Sequence, residues 1–197
     1  MKSMARIAFA AAFAAVAIAA RADIAYNNFT EPGDGWNTGS GWTVSSDQQL
    51  CMPFTSATSG AVSAVSFAMF QAGGNFTLKL EHQDNGLNPG TVMETWNFAG
   101  TGLYQTVAGD GSASLVAGQS YWLEMDPQTQ NDSSYWAWCG TGEQNTFLFS
   151  SGGTWYSYSS TLSSMKVETQ GVPEPASIAA IGLGLIGLGL RRRNRRS

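Results

Sequence analysis

Short segments that alternate between apolar and polar residues run through the middle of the chain. The segments 65–69, 75–81 and 121–125 place apolar residues at every second position, which is the period of a β-strand with one buried face. Seven further segments between turn residues carry strand patterns, namely 42–45, 49–54, 91–98, 112–116, 135–139, 146–149 and 162–169. Ten short strands predict an all-β fold, a single antiparallel β-sandwich or jelly-roll-like domain. We place this domain at 23–171.

The N-terminus has the three parts of a secretory signal peptide. A basic start precedes an apolar run at 7–20, and Ala20 and Ala22 are the small residues of a cleavage site. We therefore predict a helical signal peptide over 1–22, with cleavage before Asp23. The alternative is an uncleaved membrane anchor, but a run of 14 residues is short for a spanning helix, which needs about 20.

The C-terminus combines a stiff motif, an apolar run and a basic cluster. Pro173, Glu174 and Pro175 form an extended segment because proline fixes the backbone, and an apolar, glycine-rich run follows at 176–190. The chain then ends in a cluster of five arginines: Arg191, Arg192, Arg193, Arg195 and Arg196. We predict a short transmembrane helix over the apolar run. Arginines beside such a helix stay on the cytoplasmic side, so the domain upstream is expected to lie outside.

These three parts, in this order over 172–197, resemble the PEP-CTERM sorting signal of Gram-negative bacteria that make exopolysaccharide. The resemblance implies that a membrane exosortase recognises the Pro-Glu-Pro motif, cuts near it and removes the helix. The precursor would pass transiently through the inner membrane, and the mature protein would reach the cell surface or the extracellular space. The alternative is a plain C-terminal tail anchor.

A second resemblance covers 24–168. The motifs that carry it are, in chain order, 41–42, 48–54, 76–78, 84–86, 89–90, 115–118 and 121–123. With them the segment looks like the choice-of-anchor R domain, which occurs on bacterial surface proteins with interchangeable C-terminal anchors. The chain departs from that family at Glu81-His82, where an aromatic residue and a serine are usual. The resemblance implies a sandwich at the cell surface and provides no catalytic residues.

The charge of the middle domain excludes one class of partner. Between residues 23 and 172 the chain has thirteen acidic residues and only two basic ones, Lys79 and Lys166. Nucleic-acid binding requires lysines and arginines that neutralise phosphates. We therefore expect no nucleic-acid partner.

Cys51 and Cys139 are the two cysteines of the chain, and both lie on predicted strands. Disulfides form and persist outside the cytoplasm, so we predict a bridge between them. The alternative is two buried thiols on separate strands, because the sequence does not show whether the two Cα atoms approach within about 7 Å.

The residues that could support catalysis are few. His82 is the single histidine, and it lies beside a turn, where we expect a surface side chain. The segment 82–90 is predicted to be a connector, with a calcium loop at Asp84, Asn85 and Asn88 as the alternative. Glu124 and Asp126 share a strand face, but we interpret them as part of a solvated acidic face. We therefore expect no enzyme, no metal and no cofactor.

Aromatic residues near the end of the domain suggest an alternative function. Trp155, Tyr156 and Tyr158 follow each other closely, and exposed rings can stack on sugar faces. Trp136 and Trp138, which precede them, could instead belong to the core. The sequence therefore predicts an exported surface or matrix protein with a structural or adhesive role, and an exopolysaccharide-binding module as the alternative.

Overall fold

Alternating apolar and polar positions produce β-strands throughout the computed structural model, which describes residues 22–32, 34–84 and 88–171. These ranges contain thirteen strands: β1 (Ala22–Asn27), β2 (Trp36–Ser45), β3 (Leu50–Thr55), β4 (Gly60–Gly73), β5 (Asn75–His82), β6 (Val92–Ala99), β7 (Leu103–Ala108), β8 (Ser114–Leu115), β9 (Ser120–Pro127), β10 (Ser133–Cys139), β11 (Gln144–Ser151), β12 (Thr154–Thr161) and β13 (Met165–Gln170). Within the same ranges, no helix has the length and hydropathy required to cross a membrane.

The strands form two antiparallel sheets, which confirms the predicted all-β sandwich. The first sheet has the order β1-β13-β4-β10-β2, and β7 and β8 also pair with β4. The second sheet has the order β12-β11-β3-β9-β5-β6. Every predicted strand segment falls on one of these strands, whereas β1, β7 and β12 were not predicted. The predicted helices of the two ends lie outside the described residues except at Ala22, which begins β1 instead of ending the predicted signal-peptide helix.

The core consists of the apolar side chains between the two sheets. The first sheet contributes Val65, Phe67 and Met69 from β4 and the fully buried Trp136 from β10. The second sheet contributes its own alternating series, which includes Leu50, Met52, Phe76, Leu78, Leu80, Tyr121, Leu123 and Met125. The indole N–H of Trp136 donates to the carbonyl oxygen of Ser164 at 2.9 Å, so the largest buried side chain has its polar atom paired.

A buried asparagine joins the two ends of the domain. Asn28, just after β1, is fully buried, and its amide group donates to the carbonyl oxygen of Ser163 at 2.9 Å. Its side-chain oxygen accepts from the backbone N–H of Met165 at 2.8 Å. Because its partners are backbone groups of Ser163, just before β13, and of Met165, the first residue of β13, the asparagine fixes the start of β13 relative to β1.

Replacing this asparagine by alanine, Asn28→Ala, is expected to lower the free energy of unfolding by about 2–4 kcal/mol, because two buried backbone groups lose their partners. Urea unfolding measures the change. The control is Asn131→Ala, since Asn131 is exposed and its replacement should change stability by less than about 0.5 kcal/mol. Equal effects of the two substitutions would contradict this account.

Candidate functional site

Two exposed tyrosines form an aromatic groove at the edge of the second sheet. Tyr156 and Tyr158 lie on the edge strand β12 and are 47% and 49% exposed. Their direct cross-strand neighbours on β11 are Phe149 and Phe147. The ring centroids are 5.4 Å apart in the Tyr156–Phe149 pair and 5.8 Å apart in the Tyr158–Phe147 pair. Paired rings of this kind hold each other in a fixed orientation.

Trp42 of β2 completes this groove. Its ring lies 5.6 Å from that of Tyr158 and 5.1 Å from that of Phe147. Its indole N–H donates to the carbonyl oxygen of Thr161 at 2.7 Å, which fixes the ring. A cleft of about 170 Å³ is lined by Trp42, Gln48, Phe147, Phe149 and Tyr158, with Tyr156 outside its lining. It is smaller than the roughly 300 Å³ at which pockets for small molecules begin. Such a cleft can accept the face of one flat ring but cannot enclose a ligand.

The predicted trio of aromatic residues is divided between two faces of the hairpin. Trp155 packs against a separate buried cluster of Cys51, Trp122 and Leu148. It therefore points away from the side on which Tyr156 and Tyr158 lie, as the alternation of a strand requires. The structure brings the two tyrosines together and separates Trp155 from them.

The predicted disulfide between Cys51 and Cys139 is wrong for this structure, in which both residues are buried free cysteines. Cys51 belongs to the cluster with Trp122 and Leu148 on the second sheet. Cys139 ends β10 of the first sheet and contacts the main core, with its sulfur 3.7 Å from the carbonyl oxygen of Glu143. The two thiols therefore lie in different clusters and are not bonded to each other.

The carboxylates of β9 are buried, so the predicted solvated acidic face is also wrong. Glu124 is 4% exposed and Asp126 is 9% exposed. The ammonium group of Lys79 on β5 donates to Glu124 Oε1 at 2.6 Å and also to Asp126. Burial, together with the neighbouring Asp126, raises the pKa of Glu124 to about 8. Burial likewise raises the pKa of Glu81 on β5.

The remaining predicted candidates lie apart from these side chains or outside the described residues. His82 is exposed, as predicted, and its ring lies 5.5 Å from that of Tyr121. Asp84 accepts a hydrogen bond from the backbone N–H of Thr91 at 3.2 Å, which is the behaviour of a connector residue. Asn85, the sorting residues Pro173, Glu174 and Pro175 and the five terminal arginines lie outside the described residues.

Residues 171–193 match the family model described as the PEP-CTERM protein-sorting motif. This finding confirms the resemblance of the C-terminal tail. It identifies an exported protein that an exosortase processes and that is anchored in a membrane during sorting. No curated protein matches the chain. The resemblance of 24–168 to the choice-of-anchor R domain stays a prediction.

Removing the cation that pairs with the buried carboxylates, Lys79→Met, is expected to lower the free energy of unfolding by about 2–3 kcal/mol. Loss of the lysine leaves the negative charge of the carboxylates buried without compensation. The expected loss is smaller than for a fully buried ion pair, because the lysine side chain is 27% exposed. The control is Lys166→Met, because its partner Asp34 is more exposed and such a pair contributes about 1 kcal/mol or less. Chemical unfolding measures the free energy of unfolding of both variants, and we expect the larger loss for Lys79→Met. An equal loss in the two variants would refute this account.

Proposed function

We propose that the β-sandwich has a structural or adhesive role at the cell surface or in the extracellular matrix and that it catalyses no reaction. The observation that carries this proposal is the position of the sorting motif. The last strand, β13, ends at Gln170, and the motif begins at the next residue. An exosortase cut near the Pro-Glu-Pro motif would therefore leave the whole sandwich intact outside the inner membrane.

The arrangement of the polar side chains supports a role without catalysis. Glycosidases need two carboxyl groups that face each other across the scissile bond, about 5–9.5 Å apart. Glu124 and Asp126 instead both bind the ammonium group of Lys79. A serine triad needs a histidine held between a hydroxyl and a carboxylate, whereas His82 is exposed and packs against Tyr121.

Intact mass of the protein from its native host tests this processing. We expect a chain that begins at Asp23 and ends near Pro173, with two reduced cysteines that both react with an alkylating reagent after unfolding. Replacing Pro173 and Pro175 together by alanine should leave the tail uncut and the chain in the membrane fraction. The control Ser197→Ala lies beyond the motif and should be processed normally. Full-length, soluble protein in the cytosol would rule the proposal out.

A carbohydrate-binding role is the second candidate, and the groove beside Tyr156 and Tyr158 favours it. The two exposed rings present flat apolar faces at fixed positions, and sugars stack on such faces through their C–H groups. The groove is open, which suits a long polysaccharide better than a small molecule. Exopolysaccharide of the native host is the ligand class that this geometry and the sorting motif together suggest.

For this second candidate, Tyr158→Ala is expected to weaken binding to purified host exopolysaccharide about tenfold, because a stacked aromatic contact contributes about 1.4 kcal/mol. Affinity electrophoresis or calorimetry measures the change. Trp155→Ala is the matched control: it removes the neighbouring ring on the opposite face and should leave binding unchanged. Loss of binding in both variants, or no binding by the unmodified protein, excludes the groove as a glycan site.

A further inference from the structure

One sulfur and two carboxylates from three neighbouring strands come together on the second sheet. Cys51 on β3 lies directly across from Glu124 on β9, and Glu81 comes from β5 on the other side of β9. One ligand atom of each residue lies within 4.8 Å of the corresponding atoms of the other two. All three side chains are buried: Cys51 completely, and Glu81 and Glu124 with exposures of only 2% and 4%.

One carboxylate oxygen of this cluster is available to bind a ligand. Glu81 Oε2 is buried and has no hydrogen-bond partner among the described residues, and the same holds for Asp126 Oδ1, two residues beyond Glu124 on β9. Leaving a carboxylate oxygen buried without a partner is costly in free energy. Native proteins therefore rarely keep such an atom without a water, an ion or another ligand.

The charges of the cluster are compatible with a bound cation. Three carboxylates, those of Glu81, Glu124 and Asp126, face one ammonium group, that of Lys79. The ammonium nitrogen is bound to Glu124 and Asp126, so no salt bridge within the described residues reaches Glu81. In the metal-bound form the three carboxylates, the Cys51 thiolate and the one ammonium group sum to a charge of −3, and a divalent cation reduces this to −1.

We propose that Cys51, Glu81 and Glu124 bind one divalent metal ion of the zinc type. A thiolate ligand selects zinc over calcium or magnesium, which prefer sites made of oxygen alone. Three protein ligands, with a water as the fourth, complete a tetrahedral zinc site. Binding requires that the Cys51 thiol lose its proton to solvent as the sulfur–metal bond forms.

The surroundings of Cys51 support such a site. Trp122 and Leu148 are buried against the cysteine, and Trp155 covers the same cluster. An apolar layer on one side of a metal limits the access of water and strengthens its bonds to charged ligands. The polar side of the cluster faces Lys79, whose side chain is 27% exposed and marks the route by which an ion can enter.

Metal titration of the full chain, purified in detergent and stripped with EDTA, tests the proposal. We expect one equivalent of Zn²⁺ per chain in competition with a chromogenic chelator. Co²⁺ in its place should give the near-ultraviolet charge-transfer band of a thiolate ligand. Cys51→Ser should lose this band. Glu81→Gln should weaken zinc binding about 100-fold or more, whereas mutation of a residue that contacts only the ligands typically weakens binding about 10–100-fold.

Cys139→Ser is the matched control, because it removes the other buried thiol, which lies in a different cluster. It should keep both the band and the zinc stoichiometry. The cobalt spectrum of the unmodified chain requires no variant, so the test stands even if Cys51→Ser folds poorly. Absence of the band from the unmodified chain, its persistence in Cys51→Ser, or its loss in Cys139→Ser overturns the site.

Discussion

Backbone hydrogen bonding along both edges of β4 is the interaction on which the rest of the fold depends. β13 pairs with the first half of this strand and β10 with the second half, while β7 pairs with the opposite edge. Both faces are also covered: Val65, Phe67 and Met69 contact the main core, and Ala68 packs with Phe29 and Ala137 in a second cluster. Central strands of parallel sheets, which are buried on both faces, have nearly continuous apolar sequences. β4 has such a sequence although its sheet is antiparallel.

The sequence predicted strands whose apolar residues recur at every second position. β5 has one buried face, so its period of two was visible; β9 is buried on both faces, but its apolar residues Tyr121, Leu123 and Met125 still alternate in the sequence. β12 was not recognised, because its residues are mostly exposed and the strand is held by pairing with β11 rather than by burial. β1 and β7 are likewise poorly buried. Edge strands are stabilised by pairing with another strand. The local sequence pattern does not show this pairing, so it does not reveal the edge strand.

The same distinction applies to the functional residues. Tyr156 and Tyr158 were grouped with Trp155 from the sequence, and their shared face, opposite to Trp155, became visible only with the strand β12. The pairing of Cys51 and Cys139 was inferred from the compartment, and it fails because the two sheets place the sulfurs in different clusters. Conversely, Cys51, Glu81 and Glu124 are far apart in the chain, and only the order β3-β9-β5 makes them neighbours. No spacing rule for metal ligands could have found them.

The position of β13 between β1 and β4 has a mechanical consequence while the chain is anchored during sorting. A pull on the chain beyond Gln170 is transmitted along β13, roughly parallel to the strand and perpendicular to its hydrogen bonds on both edges. Many bonds then share the load in shear and must break together, whereas a strand peeled from an edge releases them one at a time. While the chain is anchored in the membrane at this end during sorting, this geometry therefore favours resistance to drag over unravelling.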